Sequence, residues 1–467
     1  MTEIKPIAFY LPQFYATDYN SKWWGEGYTE WTAAKKAAPL FDGHHQPQLP
    51  LPADQGGLGF HNQTDVEALR AQIELAKAYG LYGFCHYYYW FGGKRVLERP
   101  TDIMLENTDL DMPFCLCWAN ENWSRRWDGA DKDILIAQDY DPETYDQFAK
   151  DLAPYFSDKR YITINGKALF VIYRPDEIPE LTRLVDAVKI QAKACGYDDA
   201  IVLGAETFVV PGEQSDPREV GLDGGVEFPP HGVSAPIMHL HKRSAHQSED
   251  FGGIVYDAYG AYINALRRPQ PAYPLIRSVF PAWDNTARRG LAATVFAGSQ
   301  PKLFEHWLSA MTNAPKTFES GDKYVFINAW NEWAEGAHLE PDTVYGAAYL
   351  EALSRVVRGE TRLKHTFDWS QCLANQIDVY EDKASGDLGL AAGQDDLRAR
   401  LSEHKGQADI PPFLLEGQGL RALIENIKKA SNWHETKTAV FLTLYHERPK
   451  TMFQKLTTRL IGIVRKG

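Results

Sequence analysis

No stretch of this 467-residue chain approaches 18 consecutive apolar residues, so the sequence offers no membrane-spanning helix. Positive charge is scarce: 49 Lys and Arg stand against 62 Asp and Glu, a formal charge of −13. Such a chain lacks the basic footprint that nucleic-acid binding needs. Cysteine is sparse and odd in number, with Cys85, Cys115, Cys117, Cys195 and Cys372. Their irregular spacing and apolar surroundings indicate buried free thiols in a reducing compartment. Cys115 and Cys117 are too close for a zinc knuckle, and the histidines at 239, 241 and 246 have no matching carboxylate spacing, so no metal is expected. A G-x-G-x-x-G or Walker loop is missing, and with it any sign of a nucleotide cofactor. Internal repeats are also missing. The opening Met1-Thr-Glu-Ile-Lys-Pro carries no apolar leader, which points to a cytoplasmic protein.

What the chain has in quantity is aromatic: 13 Trp, 24 Tyr and 22 Phe. Rings in that number fill a large core or line a pocket that stacks on a flat apolar face, and a sugar ring presents one. From residue 4 to about 360, short β-branched and aromatic runs alternate with longer amphipathic stretches. The runs lie at 7–14, 81–90, 113–120, 168–174, 200–208, 225–229, 276–283 and 324–333. Continuous apolar runs are typical of parallel strands buried on both faces. Eight of them predict a (β/α)8 barrel over 1–360. Amphipathic stretches at 64–79, 142–155, 179–194, 301–311 and 345–357 predict helices, the first opened by a capping box at Thr64-Asp-Val-Glu67. The Gly-, Pro- and His-rich segment 215–269 predicts a large loop over the site, or loops around a short sixth strand. Residues 361–467 predict a mainly helical C-terminal extension.

Nearly every run ends in polar or aromatic residues. In a parallel barrel those ends share one rim, where the site lies. Glu332 and Glu335 stand three apart at the end of the last run, flanked by Trp330 and Trp333. Two nearby carboxylates push their pKa values apart, so that one keeps a proton while the other stays ionised. Glycoside chemistry uses that division, with an acid for the leaving oxygen and an anion beside the developing cation. The other candidates are sugar-binding residues at strand ends: Tyr10 and Gln13; His86, Tyr87 and Tyr88, with Tyr89 and Trp90; Trp118, Asn120, Glu121, Asn122 and Trp123; Glu206; Trp283, Asp284 and Asn285; and Asn331, Trp333 and Glu340. Trp24, Glu30 and Trp31, on the loop after the first strand, form a rim of Trp beside Glu. Asp109-Leu-Asp111 matches a short acidic metal motif but precedes a strand, at the wrong end of a barrel.

The string Asn331-Glu-Trp-Ala-Glu-Gly336, with Glu340-Pro341 after it, resembles the signature of glycoside hydrolase family 99, the endo-α-mannosidases and endo-mannanases. Phe9-Tyr-Leu-Pro-Gln-Phe14, the Trp23–Trp31 block, Trp118-Ala-Asn-Glu-Asn-Trp123 and Trp283-Asp-Asn-Thr286 resemble more closely the WbsX-type glycosyltransferases of O-antigen and related surface polysaccharides. The resemblance covers about residues 4–355. It implies a (β/α)8 barrel and retention of anomeric configuration. It also implies that Glu335 is the acid/base and that Glu332 takes the proton of the sugar's own 2-hydroxyl, which attacks the anomeric carbon to give an anhydro-sugar. Ala334 stands where the hydrolases usually carry His. The expected partner is a sugar or glycan, either lipid-linked or nucleotide-activated. Net hydrolysis and a non-catalytic sugar-binding barrel are the competing readings. The tail 448–467 is basic, and Phe453, Leu456, Leu460 and Val464 fall on one helical face, which suggests peripheral contact with the inner membrane or docking on the barrel.

Overall fold

The computed structural model describes residues 3–361, apart from 42, 126–129, 209–214, 234–250, 269, 315–317 and 319–320. Eight parallel strands form the centre. They are β1 (Ile4–Tyr10), β2 (Gly83–Phe91), β3 (Phe114–Trp118), β4 (Lys167–Ile172), β5 (Asp199–Glu206), β6 (Gly224–Glu227), β7 (Leu275–Ile276 and Ser278–Val279) and β8 (Lys323–Ile327). Each pairs with its sequence neighbour from β1 to β6, and β1 also pairs with β8 over five residues. β7 closes the ring in two steps. Leu275–Ile276 pairs with β6 and Ser278–Val279 with β8, the chain changing neighbours at Arg277. The result is the expected (β/α)8 barrel.

The strands form where β-branched and aromatic residues run together, and they are buried on both faces: every residue of β2 is buried. Facing rings fill the barrel's inside, with Phe9 packed against Tyr87, Phe228 and Phe326 at centroid distances of 5.8, 4.7 and 5.1 Å. Outside run the crossover helices, among them Val66–Ala78, Leu181–Ala194, Pro301–Thr312 and Ala348–Val357. The helix Val66–Ala78 turns Leu69, Gln72, Ile73 and Ala76 inward.

Several expectations need correction. The first crossover helix is capped not by Thr64 but by Asp65, whose carboxylate accepts from Glu67 N–H, a cap worth about 1 kcal/mol. Thr64 instead bonds to Asn62. The stretch 142–155 is broken into a 3-10 turn, Tyr145–Asp151 and Ala153–Phe156, with Pro154 inside the last piece. Within 215–269 lie β6, a short strand Ile254–Asp257 paired with Thr294–Ala297, and a helix, Ala258–Arg267. Seven of the strands end two to six residues sooner than the apolar runs suggest, because the remaining residues belong to the rim, while β2 runs one residue further, to Phe91. Asp111 sits just before β3 and pairs with Lys77, at the end remote from that rim. Cys85, Cys115 and Cys117 are buried free thiols and Cys195 is partly buried. The C-terminal extension with its tail, Cys372 and the histidines at 239, 241 and 246 lie outside the described residues. No helix among the described residues is long and apolar enough to cross a membrane.

Candidate active site

After β8 the chain makes a tight two-residue ladder, Asn331–Glu332 against Ala337–His338, with a 3-10 turn Trp333–Glu335 at its tip. This turn brings both glutamates to one place, although an extended strand would have sent them to opposite faces. Asn331 anchors it: its side-chain amide accepts from Leu11 N–H at 2.8 Å and donates to Leu11 O at 2.9 Å, tying the ladder to the end of β1. Gly336 follows with φ +61°, and a Cβ there would lie 3.0 Å from the backbone of Asp284. The close approach lets Asp284 N–H donate to Glu335 O at 2.7 Å.

Glu332 and Glu335 meet on one cation. Arg288 Nη2 lies 2.8 Å from Glu332 Oε2, Nη1 lies 2.6 Å from Glu335 Oε1, and Nη2 also lies 3.2 Å from Glu30 Oε2. Side-chain exposure is 8% for Arg288, 0% for Glu30, 5% for Glu332 and 22% for Glu335, so Glu335 is the member of the group that solvent and substrate can reach. Among the described residues, the three carboxylates around this guanidinium would carry with it a net charge of −2 if all were ionised. Burial pushes Glu332 up to about 8 and outweighs Arg288, while Glu335 and Glu30 push it the same way. Burial likewise raises Glu335 against the pull of Arg288. The pair therefore holds a proton at neutral pH, and its titration belongs to both residues together.

Arg288 is one of the residues that sequence reasoning missed. It sits on the one-turn helix Thr286–Arg289, built by the Trp283-Asp-Asn-Thr block just before it. Asp284 Oδ1 accepts from Thr286 N–H, and Oδ2 meets His44 Nε2 at 2.6 Å and Gln46 Nε2 at 2.7 Å. Asn285 Oδ1 accepts from Thr294 N–H at 2.7 Å. Asp284 and Asn285 thus hold the turn that presents Arg288. The available signal was an arginine two residues beyond a recognised block.

Around this centre the candidates divide into two layers. On the inner side Tyr87 and Tyr89 lie within electrostatic reach of Glu332, and burial raises both phenols. Gln13 donates to Tyr89 Oη at 3.2 Å, and Trp123 packs on Tyr89 at 5.7 Å. Glu30 comes from the helix Glu30–Lys36, with Trp31 next to it packed on Trp333 at 5.4 Å. Tyr28 is close enough to Glu30 and Arg288 to feel both, and it packs on Trp24. Tyr173, just past β4, interacts with Glu121 and Glu335. Tyr28 and Tyr173 were not among the expected residues.

The other layer faces the helices. Tyr10 donates to Gln72, and His86 packs on Tyr10, Phe84 and Phe114, with burial holding its imidazole down at about 3. Tyr88 packs on Phe148 and Tyr155, and Trp118 on Phe148 at 4.4 Å. These residues stand one position out of step with Tyr87 and Tyr89, and side chains alternate along a strand. Glu206 is bound by Arg268 and by Tyr273 Oη at 2.6 Å, in a buried group with Glu227 and Arg277. Glu340 accepts from Trp333 Nε1 at 2.6 Å and from Gln72, and faces His61 at 3.1 Å, so it fixes Trp333 from behind. Asn120 joins β3 to β4 through Arg174 N–H and O, and Asn122 accepts from Gln138 N–H. Glu121 pairs with Arg174 at 3.0 Å. Trp283 is buried, and its carbonyl accepts from Phe296 N–H. No group of His, Cys, Asp and Glu among the described residues could hold a metal ion.

The chain is 38% identical over 351 residues to the uncharacterized protein WxcX of Xanthomonas campestris pv. campestris strain B100, a match that takes in 74% of this chain and 48% of the relative. It thus spans about half the length of the curated relatives it matches. Among solved structures it is similar to a GH99 endo-alpha-mannosidase from Bacteroides thetaiotaomicron, at 14% identity and a TM-score of 0.47 over 77% of this chain and 98% of that one. It is also similar to a glycoside hydrolase-like protein, at 13% identity and a TM-score of 0.48 over 76% of this chain and 94% of that one. Residues 6–353 match the family model described as Glycosyltransferase WbsX, and the chain belongs to that family.

Proposed function

We propose that this carbohydrate-active enzyme carries out retaining glycosyl transfer through Glu332 and Glu335 during the assembly of O-antigen or another surface polysaccharide in the cytoplasm. The observation that carries the reading is the shared contact of both carboxylates with Arg288. One guanidinium holds the two oxygens it bridges close enough to serve a single anomeric carbon, and burial makes the pair keep one proton. Glu335, the more exposed of the two, protonates the leaving oxygen. Glu332 takes the proton of the donor's 2-hydroxyl, whose oxygen closes on the anomeric carbon. An acceptor hydroxyl then opens that ring from the opposite side and gives its proton to Glu335, while Glu332 returns its own to O2. Two displacements retain configuration. In the resting protein the pair shares one proton. The reactive form is the placement with that proton on Glu335 at unchanged net charge, so it requires no further titration. Tyr87, Tyr89, Trp123 and Tyr173 wall the donor ring, and Gln13, Glu30 and Glu121 orient hydroxyls.

Product analysis tests the reading. The purified protein is incubated with nucleotide sugars or lipid-linked sugars and acceptor oligosaccharides, and products are resolved by NMR. A new linkage of retained configuration supports transfer, whereas free reducing sugar with water as acceptor means hydrolysis. Glu335→Gln and Glu332→Gln each lower turnover on the order of 100-fold or more if the pair does the proton work. Turnover undiminished in both variants refutes the assignment.

A further inference from the structure

One exposed ring stands on the rim at the end of β5. Phe208 follows β5 with φ +54°, a left-handed conformation that a ring-bearing residue seldom adopts, and it is 56% exposed. Three contacts hold it there. Thr207 Oγ1 donates to Tyr173 O at 3.2 Å, which sets the end of β5 beside that of β4. Phe208 N–H points to His231 Nδ1 at 3.4 Å, and the two rings pack at 4.4 Å. The guanidinium of Arg174 lies over the Phe208 ring at 4.7 Å. The edges of that guanidinium are engaged by Asp176 at 2.7 Å, Glu121 at 3.0 Å and Glu177 at 3.1 Å, so its flat face is what remains for Phe208. Burial holds the His231 imidazole down at about 4, which keeps it neutral beside the arginine. The ring is thus fixed before any ligand arrives, although burial does not require it to be there.

We propose that Phe208, backed by Arg174 and His231, is a stacking platform for an outer, uncharged sugar of the glycan whose reacting residue lies at Glu335. This deepens the transferase reading and rests on it for the identity of the inner site. Glu121 links the two places: it pairs with Arg174 and lies within electrostatic reach of Glu335. An aromatic face left open at a rim suits the C–H face of a pyranose. Among the described residues the charged groups around it are three carboxylates and one guanidinium, a balance that accepts hydrogen bonds from hydroxyls and repels uronic acids and phosphates. The platform therefore takes the neutral glycan rather than a phosphate-bearing donor, and the enzyme reads more than one sugar.

Isothermal titration of neutral α-linked oligosaccharides of one to six hexoses, with uronic acid-containing counterparts, tests this. The titrated proteins carry Glu335→Gln alone, to suppress turnover, or with Phe208→Ala or Phe208→Tyr. The expected result is affinity that rises with length, and a loss of roughly threefold to tenfold on Phe208→Ala for the longer fragments only, which Phe208→Tyr restores. Circular dichroism melting verifies that the variants are folded. Equal affinity in the Phe208→Ala protein overturns the proposal, as does an equal loss at every length, tighter binding of the uronic acid series, or no binding of any neutral fragment. Binding does not depend on Glu335 being the acid, so failure of the catalytic assignment leaves this comparison readable.

Discussion

Replacing Arg288 with Gln removes the one cation that three carboxylates share, and the loss should depend on pH in a direction the structure fixes. Glu332 titrates at about 8 in the folded protein against an ordinary value of 4.5. Between those two values the folded chain holds a proton that the unfolded chain has released. The contribution of this titration to stability is greatest below pH 4.5 and falls by at most ~1.4 kcal/mol per pH unit as pH rises toward 8. Arg288 pulls both glutamates downward, so its removal pushes them higher still and deepens the deficit in base. Near pH 5 Glu332 and Glu335 can be neutral, and Arg288→Gln should cost only ~1–2 kcal/mol of lost hydrogen bonding. Near pH 8.5 the variant must either bury these charges unpaired or hold protons that the unfolded chain has released, at ~3–5 kcal/mol. For the barrel within residues 3–361 the alkaline loss corresponds to a fall in Tm of roughly 4–7 °C. Thermal unfolding followed by circular dichroism at the two pH values, wild type beside variant, is the assay. Equal deficits at pH 5 and pH 8.5, or no deficit at pH 8.5, would refute the view that Arg288 compensates these glutamates.

Two further outcomes follow from the layering of the barrel. Burial pushes Glu340 up, but His61 and the hydrogen bonds from His61, Gln72 and Trp333 outweigh it and hold the carboxyl below its usual range. Glu340→Gln should cost ~1–3 kcal/mol near neutrality in urea unfolding, a gap that narrows as pH falls through the folded pKa; a gap that widens in acid contradicts this. Tyr89→Phe should lower turnover, because its hydroxyl sits between Gln13 and the carboxylates, whereas His86→Leu should mainly affect melting. Steady-state rates showing the reverse order would mean that the inner and outer faces of β2 are misassigned.

All eight strands were legible in the sequence, most of them because a strand buried on both faces is written as an unbroken apolar run. That same property hid which residues look inward. In Gly83–Phe91 rings occupy both faces, so no alternation of polar and apolar marks Tyr87 and Tyr89 as inner and His86 and Tyr88 as outer. Glu206 and Glu340 look like site carboxylates in sequence because each stands near a strand end, yet their partners, Arg268 and Tyr273 for one and Gln72, His61 and Trp333 for the other, come from distant segments. Glu332 and Glu335 were legible as a pair through their spacing and flanking tryptophans. Arg288 was not, since a one-turn helix has no period to read.

The way the ring closes has a consequence for where it opens. β7 meets β6 through two residue pairs and β8 through two more, while β1 meets β8 through five and β4 meets β5 through six. The weakest join in the cylinder is therefore a seam at Arg277. Amide hydrogens on its two flanks should exchange with deuterated water sooner than those of β4 and β5. Breathing there loosens the strand that leads, within ten residues, into the turn carrying Arg288.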